Sequence, residues 1–238
     1  GAGAGAARER SVQARTAALL GGQGAAAAAA QRERSEQEMA RRFGISWPYR
    51  SRSEYHHHDD RDLTDEWQKE VYEHAANLAR SSGYKNILDV GCGSGFKLIH
   101  SFEDFNTLGL ELACNLDFLK SRYPQRNWGL SDLQSTPDFQ PDLVVCADVI
   151  EHLTNPDELL SFFVRLNAGH IVLSTPDRSL LYRPWQKRYW GPPRNPSHQR
   201  EWTSREFFRY ISDTFEVVEH AITRKDQATQ MIVCKPGR

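Results

Sequence analysis

The ten residues Asn86-Ile87-Leu88-Asp89-Val90-Gly91-Cys92-Gly93-Ser94-Gly95 constrain the fold more than any other stretch of the chain. The short apolar run at their start reads as a buried strand. It enters three glycines at alternate positions, where the backbone is free to turn left-handed and a ligand can approach it with no side chain in between. A helix beginning there would aim its unpaired N–H groups at the same ligand. Two common users of such loops are disfavoured. A dinucleotide fingerprint wants a small residue where Phe96 stands, and a phosphate-gripping loop ends in Lys-Ser or Lys-Thr, whereas Phe96-Lys97-Leu98 follows here.

Around this loop, apolar runs and amphipathic stretches alternate. Thr64 or Asp65 can cap a helix through Trp67, Val71, Ala75 and Leu78 to about Arg80, which Ser81-Ser82-Gly83 ends. Strands are expected at 86–90, 107–110, 127–130, 143–146 and 171–174, with helices near 96–103, 115–122 and 156–166 between several of them. This order implies right-handed crossovers and a doubly wound, Rossmann-like α/β domain with a mostly parallel sheet. A helix near 204–212 leads to strands at 215–221 and 230–234, too close in sequence for a crossover, so these two should pair antiparallel.

Glu111 closes the second strand, twenty residues beyond Gly91, where a carboxylate of such a domain grips ribose hydroxyls. Asp132 follows the third strand, within reach of an adenine amino group. The segments LDVGCGSG (88–95), LGLEL (108–112), SDL (131–133) and DLVVCADVIEHL (142–153) resemble, in this order, the class I S-adenosylmethionine-dependent methyltransferases. That resemblance covers about 64–235 and implies a seven-stranded sheet with a reversed final strand. It places the glycine loop, with Gly91, Cys92, Gly93 and Gly95, around the methionine part of S-adenosylmethionine, Glu111 at the ribose and Asp132 at the adenine, and counts Asp89, Leu112, Leu133 and Ala147 among the cofactor-binding residues.

The fourth strand delivers Asp148, Glu151 and His152 to the edge where open α/β sheets bind ligands. Spaced i, i+3, i+4, they would share one face of a helical turn, and two carboxylates with an imidazole suit Mg²⁺ or Mn²⁺. His198, in Asn195-Pro196-Ser197-His198, could add a ligand or act as the base. The block resembles the ubiquinone-biosynthesis O-methyltransferases over Glu151-His152. It also resembles the small-RNA 3′-terminal 2′-O-methyltransferases, whose metal set would fall on Asp148, Glu151, His152 and His198, with Asp148 standing where those relatives carry Glu. The competing reading has no metal, with His152 capping the helix or positioning substrate. Sulfonium methyl transfer requires an aligned, deprotonated acceptor, so His198, His152 and Asp148 are the candidate catalytic residues.

Residues 176–203 hold five of the chain's 11 prolines together with Tyr182, Trp185, Tyr189, Trp190 and Trp202, and the stretch 177–205 carries a net charge of +5. Such a long loop reads as a substrate lid for an anionic or ring-bearing acceptor. Three successive histidines, His56, His57 and His58, cannot all point one way and are expected to be solvated surface, opening an N-terminal lid. Residues 1–42 form an Ala/Gly/Arg-rich arm, 19 of whose first 30 positions are Ala or Gly, expected to be disordered or partly helical. The domain proper is expected over 43–238. A net charge of -1 disfavours a chain-wide nucleic-acid partner. Four dispersed cysteines disfavour a disulfide scaffold and point to a reduced, cytoplasmic setting. No apolar run reaches the length of a membrane span. The expected function is O-methylation of a small-molecule, sugar or glycan hydroxyl, the alternatives being RNA 2′-O-methylation and quinone- or catechol-type O-methylation.

Overall fold

The computed structural model describes residues 28–237, except 36, 39, 53, 55–60, 63 and 65. Most of the N-terminal arm, the histidine run and the Asp65 cap thus lie outside the described residues.

Seven strands form one sheet: β1 (Asn86–Val90), β2 (Asn106–Glu111), β3 (Asn127–Leu130), β4 (Leu143–Ala147), β5 (His170–Pro176), β6 (Phe215–Arg224) and β7 (Thr229–Pro236). Their spatial order is β3-β2-β1-β4-β5-β7-β6. The first five run parallel, and β7 lies antiparallel between β5 and β6. The expected reversed strand and terminal hairpin are both present. The order turns back between β1 and β4, and that reversal opens the crevice in which such sheets bind ligands.

Alternate residues along each strand serve opposite faces. Leu88, Val144 and Leu173 pack with α5 (Pro156–Leu166) and α7 (Ser204–Ser212). Ile87, Val145 and Val172 pack with α2 (Lys69–Ser82), α3 (Phe96–Ser101) and α4 (Ala113–Arg122) on the other side. Each such side chain, removed from water, contributes about 1.5–3 kcal/mol. The first face has an extra layer. Helical residues at 28–35, 37–38 and 40–42 (α1) bury Ala40 in that core and lead into a segment that buries Phe43, Ile45 and Tyr49 there. Packing therefore begins three residues before the expected domain start.

Helix α2 starts later than Thr64. Its N-cap is Gln68, in the left-handed conformation at φ 58°, so Trp67 lies outside the helix and is 48% exposed. The expected stop at Gly83 is present, with φ 69° and its N–H donating to Ala79 and Arg80 carbonyls.

Residues 176–203 are less irregular than their prolines suggest. They include α6 (Arg178–Leu181) and a 3₁₀ turn at Lys187–Trp190. From Ser197 to Trp202 every residue is buried. The Trp202 indole donates to the Phe43 carbonyl at 2.7 Å and its rings stack on Tyr210 with centroids 5.8 Å apart. Arg200 donates to the carbonyls of Leu153 and Thr154 at 2.6 and 2.8 Å. Arg178 and Arg200 are thus internal, but so are Asp177 and Glu201, so the +5 is carried to solvent by Arg183, Lys187, Arg188, Arg194 and Arg205. Among the described residues no helix is long and apolar enough to cross a membrane.

Candidate active site

The glycine loop has the conformation its composition requires. Gly91, Gly93 and Gly95 have φ of 75°, 53° and 73°, a region that side chains disfavour. At Gly91 there is also no room, because an added Cβ would lie 2.4 Å from Val149 Cγ2. The loop rests against β3 as well: a Cβ on Gly95 would stand 2.8 Å from Trp128 Cη2, and one on Gly109 of β2 would stand 2.4 Å from Trp128 Cζ3. Both N–H groups of Gly91 and Cys92 donate to the Leu110 carbonyl, tying the loop to β2.

Beside it, Glu111 is buried. Its Oε2 accepts from the Gly93 N–H at 2.7 Å and its Oε1 from the Leu112 N–H at 2.8 Å. An ionised carboxylate offers about four acceptor positions, so one side chain can serve several donors at once. Asp132 accepts from the Gln134 and Ser135 N–H groups and from the Ser135 hydroxyl, and these bonds hold its carboxyl below the usual range.

Glycine loop, Glu111, Asp132 and the end of β4 enclose a cavity of about 810 Å³. Gly91, Cys92 and Gly93 line it, as do Glu111, Leu112 and Asp132, Leu133 and Ala147. Gly95 and Asp89 do not: Asp89 is fully buried behind the wall, accepting from the Tyr72 hydroxyl at 2.9 Å. Trp67, Gln68 and Tyr72, none of them expected here, supply a further wall. Their signal was present only as an aromatic helix start, without any cofactor motif.

The far end of the cavity holds the candidate chemistry. Asp148, Glu151 and His152 do not share one helical turn. Asp148 adopts φ 54°, which Asp tolerates better than most residues, and this breaks the run before the 3₁₀ turn Ile150–His152. Asp148 consequently turns away from the other two, accepting from the Ser174 hydroxyl at 2.6 Å and Gln68 Nε2 at 3.0 Å. Burial pushes its carboxyl up, partly offset by those two bonds.

Glu151, His152 and His198 do converge, with one ligand atom from each lying within 4.8 Å of the others. The expected quartet is therefore a trio, with Asp148 outside it. Glu151 is fully buried; its Oε2 accepts from the Thr175 hydroxyl at 3.0 Å while Oε1 has no hydrogen-bond partner among the described residues. Burial, followed by the charge of Asp148, pushes the Glu151 carboxyl well up. His152 Nδ1 lies 3.0 Å from the Ser197 carbonyl, an acceptor only, so Nδ1 carries the proton; Nε2 stands 4.0 Å from Glu151 Oε1. His198 faces His152 edge-on, centroids 4.9 Å apart, and its Nδ1 is 3.0 Å from Glu201 Oε1. Of the aromatic residues at 176–203, Tyr182 lines the cavity, Trp202 belongs to the core and Trp185 is 82% exposed.

The methyltransferase domain family matches residues 37–219, which include every group just described. The chain belongs to that family. Among curated proteins, the ubiquinone biosynthesis O-methyltransferase of Rickettsia bellii (strain OSU 85-389) is 33% identical over 102 residues, covering 39% of this chain and only 42% of that relative's length. Among solved structures, the N-methyltransferase NodS of Bradyrhizobium japonicum WM9, in complex with S-adenosyl-L-homocysteine, aligns with a TM-score of 0.56 at 17% identity, covering 75% of this chain and 95% of NodS. The methyltransferase domain of bacterial CtHen1-C aligns with a TM-score of 0.56 at 20% identity, covering 72% of this chain and 99% of that one. Both share the fold of this methyltransferase domain.

Proposed function

We propose that the protein transfers the methyl group of S-adenosylmethionine to a hydroxyl of a small-molecule, sugar or glycan acceptor. The observation that carries this reading is the pair of imidazoles, His152 and His198, beside the buried Glu151 in the same cavity as the glycine loop and Glu111. A hydroxyl attacking a sulfonium methyl must lose its proton, and neutral imidazole is suited to take it near pH 7. In this reading the glycine loop holds the methionine part, Glu111 the ribose diol and Asp132 the adenine. His198 is the base at the acceptor, with His152 beside it, and Asp148 orients Gln68 at the mouth of the cofactor pocket.

The same trio suits a divalent cation. Glu151 Oε1 is buried without a partner, and a carboxylate next to two imidazoles is a donor set for Mn²⁺ or Mg²⁺. When bound, such an ion would lower the pKa of an acceptor hydroxyl. Glu151, His152 and His198 would hold it, and Asp148 would remain with Ser174 and Gln68.

A catechol or quinol acceptor is the second reading, favoured by the similarity to the ubiquinone biosynthesis O-methyltransferase. The test is release of S-adenosylhomocysteine from S-adenosylmethionine over a panel of sugars, glycans and catechols, with and without Mn²⁺. Turnover on a hydroxyl acceptor, lost in His198→Ala, supports the proposal. Turnover confined to amine acceptors overturns it.

A further inference from the structure

Glu201 sits three residues after His198 and is only 1% exposed. Its place is fixed from three sides. Its N–H donates to the Tyr49 hydroxyl at 2.8 Å, its carbonyl accepts from Arg178 Nη1 at 2.9 Å, and its Oε1 lies 3.0 Å from His198 Nδ1. The proton between them can be assigned. Asn195 Oδ1 accepts from the Ser197 N–H at 3.0 Å and the Ser197 hydroxyl at 2.7 Å, which identifies the opposite end of that amide as the NH₂ group. That NH₂ lies 3.0 Å from His198 Nε2, so Nε2 is the acceptor and carries no proton. Neutral His198 therefore bears its proton on Nδ1 and donates it to Glu201.

We infer that Glu201 is a positioning residue that holds His198 as the Nδ1–H tautomer, leaving Nε2, which faces the Asn195 amide, as the basic nitrogen. Free imidazole side chains favour the opposite tautomer, and the partner of one ring nitrogen decides which nitrogen is left basic. A buried carboxylate on Nδ1 does this whether Nε2 receives a hydroxyl proton or ligates a cation. In either case the group approaching Nε2 replaces the Asn195 amide there. The inference deepens the reading of His198 proposed above and rests on it.

The test uses the full chain with ¹⁵N-labelled histidine, saturated with S-adenosylhomocysteine, and long-range ¹H–¹⁵N spectra that show which ring nitrogen bears hydrogen. His198→Ala identifies the signals by deleting them. Nδ1–H is expected in the parent protein and in an Asn195→Ala background, where Glu201 alone selects it, with reversion towards Nε2–H when Glu201→Ala is added to that background. Should Glu201→Ala fail to bind S-adenosylhomocysteine, Glu201→Met fills the same volume without an acceptor and is read in its place. Nε2–H in the parent protein, or an unchanged tautomer in the variant lacking an acceptor, overturns the inference. The readout needs no acceptor and no metal, so failure to methylate any hydroxyl would strike the proposed function alone.

Discussion

At the scale of single residues, three substitutions separate the roles argued above. Glu111→Ala removes the acceptor proposed for the ribose diol, and hydrogen bonds to a charged group contribute about 1.5–3 kcal/mol each. Calorimetry should therefore show S-adenosylhomocysteine affinity falling at least tenfold. Gly91→Ala combines a positive φ with the Val149 contact and should cost about 1–3 kcal/mol in urea unfolding. Trimming Val149 to Ala in the same chain should recover part of that loss and leave the φ component. Glu151→Gln should raise the melting temperature of the protein without cofactor or metal, because it removes a buried carboxyl with an unpartnered oxygen. The same change should abolish any Mn²⁺ binding seen by calorimetry. A lower melting temperature would mean that an amide NH₂ left without an acceptor in the place of Oε1 costs more than the buried carboxyl does.

At the scale of elements, α7 is started by a capping box in which Thr203 and Glu206 exchange bonds. Glu206 also binds Arg178 at 2.7 Å and accepts from the Ser46 N–H, joining α6, α7 and the segment after α1. Burial pushes the Glu206 carboxyl up, but Arg178 and the donors around it pull it further down, so it ends below its ordinary value. A depressed folded value stabilises the protein above the unfolded carboxyl range, near pH ~4.3, and that stability is lost as pH falls through the folded value. Glu206→Gln should cost about 3–5 kcal/mol at pH 7, with the difference from the parent shrinking in urea titrations below about pH 4. The elements themselves were largely legible, since β1 and β3 match the expected bounds and every expected strand exists. The misses have local causes. The start of α2 was obscured by a left-handed Gln68, and the order at 197–202 by proline-rich surroundings whose partners, Phe43 and Leu153, are distant in sequence.

At the scale of the molecule, the segment after α1 behaves as part of the domain. A chain beginning at residue 40 should keep its S-adenosylhomocysteine affinity, whereas one beginning at 51 loses Phe43, Ile45 and Tyr49 from the core. Aromatic truncations of this kind cost about 3–5 kcal/mol each, so the shorter chain should unfold at a markedly lower urea concentration. The glycine-loop half of the cavity lining could be read ahead of the structure because its residues lie in short motifs on consecutive strands. The other half could not, since Glu201, Asn195 and Gln68 act through contacts that exist only once the chain has folded. Trp128 carries such a contact into the history of the sequence. Its indole occupies the space that side chains at Gly95 and Gly109 would need, so neither glycine is free to drift alone. A lineage descending from this chain would have to shrink position 128 first. Related sequences with alanine at 109 should then carry a small residue at 128, a dependence that a comparison of descendants would reveal as an order of events.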